Sequence, residues 1–287
     1  MPSAIDKLNL YRLAVQHPPA EVAFLQRAFA HHNDGELPTL LREDFCGTAA
    51  IAAHFVALDE DHRAVAIDSH YPTHRWALQR WPGVLGERAQ DLHLVCDDVL
   101  SARTPRVDVV AALNFSIFIY HDRPALLNYF KTARHTLRPG GLLVIDAYGG
   151  PGAMQIKTQK RQVVPDASEG VKPFEYQWEQ RNYDAVTSRL DSRIHFGLSR
   201  SKIIRDAFVY DWRLWSLTEL VELLTEAGFA TAQVWCDADA HDNDAAKAKR
   251  ASIEPSPRWF APLSTMPGRD EWVAYVVAVA PRKTPRG

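Results

Sequence analysis

Short apolar runs, each closed by an acid or an amide, recur along the first half of this chain. Ala64-Val65-Ala66-Ile67 ends at Asp68, and Leu92-His93-Leu94-Val95-Cys96 ends at Asp97-Asp98. Val107 to Leu113 ends at Asn114, and Leu142 to Ile145 ends at Asp146. Runs this short, bounded by polar residues, predict buried strands. An earlier apolar run, Leu37 to Leu41, leads to Glu43 and predicts the first strand of the series. Helical spacings lie among them. Val22, Leu25 and Phe29 recur within Pro19 to His31, an alanine-rich stretch covers Ala49 to Leu58, and another helix fits Pro124 to Leu137. Arg138-Pro139-Gly140-Gly141 predicts a break before the next strand. Strands separated by helices imply a parallel sheet with right-handed crossovers.

After Gly152 the rhythm changes. Residues 173–215 alternate with a period of two, placing Phe174, Tyr176 and Trp178 on one face and Phe208, Tyr210 and Trp212 on another. This predicts an antiparallel insert. Ser216 followed by Glu219 forms a capping box for a late helix, which Ala227-Gly228-Phe229 stops. Ala232 to Trp235 and Glu271 to Ala280 predict a closing antiparallel hairpin. The polar stretch between them, Asp237 to Asp270, reads as a loop, surface rather than lid. The implied division is 1–36 helical lid, 37–150 α/β core, 151–215 insert, and 216–287 completion of the core.

Size and charge narrow the picture. The 287 residues suit one large domain or two small ones, and a net charge of -2 offers no basic face for nucleic acid. Cys46, Cys96 and Cys236 form neither a disulfide framework nor a metal-ligand pattern, so no metal is expected and the free thiols fit the cytoplasm. No apolar run approaches the ~18 residues of a membrane span. Asp6 and Lys7 interrupt any export signal near the start.

One stretch carries chemistry. In Glu43-Asp44-Phe45-Cys46-Gly47-Thr48-Ala49-Ala50 an acid at a strand end precedes a glycine turn and a helix start. Ligands of open α/β sheets bind beyond the carboxyl ends of the strands, against such a turn and helix N-terminus. The order Glu43-x-x-Cys46-Gly47-Thr48-Ala49 resembles the first motif of class I S-adenosylmethionine-dependent methyltransferases, acid-x-x-Cys-Gly-Thr-Gly. Phe45 stands where many members have glycine, and Ala49 where the last glycine would be. Alanine at 49 is expected to be already helical, where it costs little. Leu137-Arg138-Pro139-Gly140-Gly141 is similar to the turn before a later strand of that family. Trp215-Ser216-Leu217-Thr218-Glu219-Leu220, leading to Ala227-Gly228-Phe229, is similar to its late helix and turn. The similarity runs from about Leu37 to Ala280.

The resemblance implies a Rossmann-like, doubly wound, mostly parallel seven-stranded sheet. It also implies a C-terminal antiparallel hairpin and a small antiparallel β insert. It implies S-adenosylmethionine as cofactor and a small-molecule acceptor, without nucleic acid or membrane. Glu43 would accept from the methionine ammonium, with Phe45 beside it and the backbone N–H groups of Cys46, Gly47, Thr48 and Ala49 facing the ligand. Asp68, followed by Ser69, would take the ribose hydroxyls. Asp97 or Asp98, followed by Val99, would meet the adenine, and Leu113 and Asn114 would act through their backbone. Tyr11 and Arg12 are lid candidates. A dinucleotide site would need Gly-x-Gly-x-x-Gly, but only Gly47 is present, which favours a phosphate-free ligand. Candidates for a general base are Tyr120, His121, Tyr148 and Asp146, with Asp122 as orienter of His121 or simply as a helix cap. The aromatic insert would cover the acceptor, or equally form the face of a homodimer. Arg213 is a candidate partner for an acceptor carboxylate. RNA or protein methylation, or a non-catalytic cofactor-binding scaffold, are the alternatives.

Overall fold

A computed structural model of the chain describes residues 6–199, 201–237, 260–266 and 268–282. Two helices lead, α1 (Lys7–Val15), capped by the Asp6 carboxylate, and α2 (Pro18–His32), entered through prolines in its first turn. There follow β1 (Leu40–Asp44), α3 (Ala50–Leu58), β2 (Arg63–Ile67), α4 (Tyr71–Leu85), β3 (Leu92–Val95) and β4 (Val107–Ala112). Next come α5 (Arg123–His135) and β5 (Leu137–Gly149). Four strands then form a separate sheet: β6 (Lys157–Val163), β7 (Phe174–Asp184), β8 (Arg189–Ser199) and β9 (Lys202–Arg213). The described chain closes with α6 (Leu217–Glu226), β10 (Thr231–Asp237), β11 (Phe260–Leu263) and β12 (Trp272–Val279).

The main sheet has eight strands in the order β11-β10-β12-β5-β4-β1-β2-β3. Strands β1 to β5 pair parallel with one another, and β12 pairs antiparallel with β5, as β10 does with β12 and β11 with β10. The chain moves outward from β1 in one direction through β2 and β3, then returns to β4 on its other side. That reversal opens a crevice at the carboxyl ends of β1 and β4. Alternate strand residues feed two cores. Val65, Val110, Leu143 and Ile145 meet Leu126, Phe130, Leu220 and Leu224 of α5 and α6. Ala66, Val109, Leu142 and Val144 meet Val22, Leu25, Ile51 and Phe55 of α2 and α3. The four-stranded sheet packs its apolar face on α1, with Leu10 and Ala14 against Phe174, Ile194 and Phe196.

Four departures from the sequence expectation have physical causes. The eighth strand, β11, lies in the stretch read as a loop; residues 238–259 of that stretch fall outside the described residues. Pro262 is tolerated there because β11 is an edge strand. The first strand starts at Leu40, not Leu37, which is 58% exposed. It continues through Arg42, Glu43 and Asp44, all buried, so an apolar pattern misses three of its five residues. Arg138 to Gly141 does not break the chain: β5 runs through it as a bulge. The register jumps from Val107↔Leu137 to Val109↔Leu142 while Gly140 adopts φ 78°. Finally, α4 was not announced by its sequence, since it contains Pro82 and buries only the stripe Thr73, Ala77 and Trp81.

The buried charges of β1 form one connected group. Arg42, 0% exposed, donates from Nε to Asp44 Oδ1 (2.6 Å), from Nη2 to the Val99 carbonyl (2.8 Å) and from Nη1 to Thr104 Oγ1 (3.2 Å). Tyr129 of α5 donates its hydroxyl to Asp44 Oδ2 at 3.0 Å. Burial pushes the Asp44 carboxyl upward, while Arg42 and Tyr129 pull it back. Replacing Asp44 by Asn strands the guanidinium without a counter-charge, which should cost about 3–5 kcal/mol. Guanidinium titration measures this, and a loss below about 1 kcal/mol would contradict a paired, dry Arg42.

Candidate active site

The turn between β1 and α3 is closed by its neighbour. Cys46 N–H donates to the Ile67 carbonyl (2.9 Å), and Gly47 N–H donates to Asp68 Oδ2 (2.8 Å) at the tip of β2. Ala49 N–H donates to the Cys46 carbonyl at 2.8 Å. Three of the four N–H groups expected to face a ligand are thus engaged within the protein. Phe45 (φ 55°), Gly47 (φ 52°) and Ala49 (φ 57°) all occupy the left-handed region. Ala49 is therefore the N-cap of α3 in a left-handed conformation, not a helical residue as expected. For a residue with a Cβ this costs roughly 1–2 kcal/mol.

The other predicted cofactor residues divide by surroundings. Glu43, 2% exposed, turns back onto α3, where its Oε2 accepts from Ala52 N–H at 2.9 Å. Burial drives its carboxyl well up. Thr48 is buried; its hydroxyl donates to Gln16 Oε1, and its carbonyl accepts from Trp81 Nε1 at 2.7 Å. Cys46 is a packed thiol pushed upward by burial. Asp68 stays half-buried at the crevice, with Oδ1 accepting from His70 N–H at 2.8 Å, and Ser69 beside it is exposed. Asp97 and Asp98 are both exposed and fold into a turn: Asp97 Oδ1 accepts from Asp98 N–H and Ser101 Oγ, Asp98 Oδ1 from Leu100 N–H. Val99 is buried and gives its carbonyl to Arg42.

At the carboxyl end of β4, Leu113 is buried, and Asn114 (φ 59°) and Phe115 (φ 60°) make a second left-handed turn. Their N–H groups donate to the two oxygens of Asp146 at 2.9 and 2.7 Å. Burial pushes the Asp146 carboxyl up to about 7, against those two hydrogen bonds. Glu21 of α2, which sequence reasoning missed, is 8% exposed, and its Oε2 has no partner among the described residues. Burial foremost, with Asp146 adding to it, raises Glu21 to about 8; Glu21 in turn raises Glu43. Among the described residues, none of these three acids forms an ion pair with a lysine or arginine, and burial is the largest influence on each.

Beyond this turn lies a cavity of about 270 Å³. Asn114, Phe115 and Tyr148 line it from the main sheet, Tyr176, Trp178, Tyr210 and Trp212 from the antiparallel sheet, and Tyr11 from α1. Tyr11 packs on Phe208 with ring centroids 4.8 Å apart, while Arg12 pairs with Glu169. The Tyr148 hydroxyl is buried and without a partner among the described residues. Gln180, Lys157, Glu271 and Trp272 also line the cavity, and Lys157 pairs with Glu271. Gln180 shares the two-residue register of Tyr176 and Trp178, the one signal that could have found it.

The remaining base candidates lie elsewhere. Tyr120 stacks on Tyr129 at 5.5 Å and meets Phe45 edge-on, outside the cavity lining. Burial raises its phenol, as it does that of Tyr148. His121 Nε2 lies 2.8 Å from the Asp211 carbonyl on β9, and Asp122 caps α5 by accepting from Ala125 N–H at 2.9 Å. The pairing of His121 with Asp122 as orienter is not formed. Arg213 donates to Glu219 at 3.1 Å and stacks on Trp215. On the outer face of the insert, Glu179, His195 and Asp206 bring ligand-type atoms within 4.8 Å. His195 already engages both nitrogens, Nδ1 accepting from Asp206 N–H (2.8 Å) and Nε2 meeting Glu179 (3.0 Å), so its imidazole keeps no lone pair for a metal.

No protein-family model matches the chain, and no curated protein matches its sequence. Solved structures do match its shape. The sugar N-methyltransferase KedS8 from Streptoalloteichus sp ATCC 53650 is 18% identical with a TM-score of 0.63, covering 96% of this chain and 92% of its own. DesVI of Streptomyces venezuelae is 15% identical with a TM-score of 0.66, over 96% of this chain and 99% of its own. CalS10, an amino pentose methyltransferase from Micromonospora echinaspora, is 14% identical with a TM-score of 0.62, over 95% of each chain. The fold is that of the class I methyltransferases. At such identities the likeness speaks for the fold alone.

Two expected outcomes follow from the turn and the acids. Ala49→Gly relieves a left-handed alanine at an N-cap, so urea unfolding should show stability unchanged or raised by up to about 1 kcal/mol. The same change at Ala52, inside α3, should lose about 1 kcal/mol, and equal losses at both sites would refute the strain. Raised carboxyls hold protons in the native state that the unfolded chain releases, so stability is fully present at low pH and falls as pH rises toward 7 to 8. Glu21→Gln should therefore stabilise increasingly between about pH 5 and about pH 8, by at most about 1.4 kcal/mol for each pH unit, in thermal unfolding. A gain that does not change with pH would rule out a titrating Glu21.

Proposed function

We propose that this chain is an S-adenosylmethionine-dependent methyltransferase acting on a small-molecule acceptor held in the aromatic cavity. One observation carries the reading: Glu21, Glu43 and Asp146 gather buried carboxyls at the β1–β4 crevice, and among the described residues none of them forms an ion pair with a lysine or arginine. Buried acids that lack a counter-charge are raised toward neutrality, and a ligand bearing positive charge relieves them. S-adenosylmethionine carries an ammonium and a sulfonium, so the donor set fits it. The half-buried Asp68 supports the same reading. Each of its oxygens accepts one N–H and keeps a second lone pair for a ribose hydroxyl.

In this reading Glu43 and Glu21 face the amino acid end through charge. Asp97 or Asp98 meets the adenine from the exposed turn after β3, and Leu113 and Asn114 offer backbone. When bound, the cofactor supplies an electrophilic methyl group on sulfur. The protein contributes position and dryness, which in favourable intramolecular cases lowers barriers by about 7–11 kcal/mol. Tyr11 and the rings of β7 and β9 shield the acceptor from water. Of the four base candidates we retain Tyr148, because it alone lines the cavity, while Asp146 holds the Asn114 and Phe115 N–H groups. The helices of residues 1–36 act as lid and residues 151–215 as acceptor cover, in a cytoplasmic enzyme.

The acceptor class follows from the same walls. KedS8 and CalS10 are named for sugar and amino pentose methylation, and a cavity of about 270 Å³ with aromatic sides suits a ring of that size. A macromolecular acceptor is not favoured by a net charge of -2.

Calorimetric titration with S-adenosylmethionine and S-adenosylhomocysteine tests the reading directly. Both should bind, and absence of binding at millimolar ligand would sink it. Asp68→Ala should weaken both by about tenfold or more, through the lost ribose hydrogen bonds. An unchanged affinity removes Asp68 from the site.

A further inference from the structure

We propose that Gln180, with Ser192 beside it, reads a hydrogen-bond donor on the ligand of the aromatic cavity. The ligand then presents an N–H or O–H group to this wall, not a carbonyl or an ether oxygen. Calling that ligand the methyl acceptor rests on the function proposed above; the polarity of the wall does not.

Gln180 lies on β7, is 1% exposed and lines the cavity. Its Nε2 donates to the Ala153 carbonyl at 2.6 Å and to the Gln155 carbonyl at 2.7 Å. Both amide hydrogens are thus spent. Turning the amide over would set Oε1 against two carbonyl oxygens, so its orientation is fixed by chemistry. Oε1 is buried and has no partner among the described residues. Unlike a hydroxyl, this atom only accepts.

Ser192 stands directly opposite Gln180 in the β7–β8 register, fully buried, with Oγ also unpartnered among the described residues. Tyr148 brings a third unpartnered oxygen to the same cavity from the main sheet. Buried polar atoms are nearly always satisfied, so the unmet oxygens of Gln180 and Tyr148 on the cavity walls, with that of Ser192 opposite Gln180 in the register, point to a hydrogen-bonding ligand. A hydroxyl such as Ser192 or Tyr148 can turn to suit either kind of partner. Only Gln180 discriminates, because a carbonyl or ether placed against Oε1 leaves both atoms unmet.

The test uses the full chain and three uncharged rings of similar shape: cyclohexanol, cyclohexanone and cyclohexyl methyl ether, titrated by ligand-observed NMR. Cyclohexanol should bind about tenfold more tightly than the other two, the ratio one hydrogen bond supplies. Gln180→Met should abolish the preference, and Ser192→Ala, which removes no existing bond, should narrow it. Equal binding of the three rings, or no binding of cyclohexanol, overturns the proposal. So does a preference that survives in Gln180→Met. Should Gln180→Met fail to fold, an unchanged preference in Ser192→Ala overturns it instead. S-adenosylhomocysteine binding is measured in parallel. Its absence in the unaltered chain removes the methyl-transfer reading yet leaves the ring preference to decide this one.

Discussion

A charged guanidinium sits in the middle of this protein, and the crevice is arranged around it. Arg42 occupies the central strand of the main sheet, where water does not reach. Desolvation makes such a charge tolerable only with full pairing, and Arg42 gets it from Asp44, Val99 and Thr104. The partners lie on β1 itself and on the segment after β3, and Asp44 adds Tyr129 of α5. A buried pair of this kind contributes little net stability over apolar packing. What it does is fix register, because no slipped pairing of β1 leaves Arg42 satisfied. The ring of Tyr129 then packs on Phe45 at 5.4 Å, carrying the order of the ion pair into the turn.

A second constraint is the way neighbouring strands hold each other's turns. Asp68, at the tip of β2, takes the Gly47 N–H of the turn after β1. Asp146, near the end of β5, takes the Asn114 and Phe115 N–H groups of the turn after β4. The two turns flank the crevice, and both contain left-handed residues other than glycine. Strain of that kind persists where surrounding bonds over-determine it. The strand-end acids therefore act first as clamps, and any contact with a ligand is made by lone pairs the clamps leave over.

How much of this could be read from sequence depends on what the pattern responds to. The parallel core was legible because apolar runs closed by Asp68, Asp97, Asn114 and Asp146 are a backbone period made visible. The second half of β1 was not, because Arg42, Glu43 and Asp44 satisfy burial by pairing and not by being apolar. The bulge in β5 was hidden for a related reason: Pro139, Gly140 and Gly141 signal a turn locally, yet pairing with β4 and β12 overrides them. Ala49 misled through propensity, since alanine favours helix interiors and says nothing of an N-cap forced to positive φ. Glu21 was missed because its importance lies in a buried oxygen without a partner, which no pattern shows; Gln180 keeps the two-residue register of Tyr176 and Trp178, yet that its Oε1 stays unmet is not written in the sequence.

The glycine positions of the turn show why the departures belong together. Glycine at 45 and 49 would remove strain at both left-handed residues. Phenylalanine at 45 keeps the strain but adds a ring that meets Tyr120 and Tyr129, building part of the core beside the crevice. Alanine at 49 adds a methyl that is fully buried against α2 and α3. Each exchanges backbone ease for packing, and aromatic packing of about 0.5–1.5 kcal/mol per pair is of the same order as the strain. The raised acids and the unmet oxygens of the cavity add further cost to the ligand-free chain. A ligand that brings positive charge to the acids, or a donor to Gln180, removes part of that cost on binding. By mass action, the state in which both turns are clamped and both deficits are met is then the one that ligands stabilise.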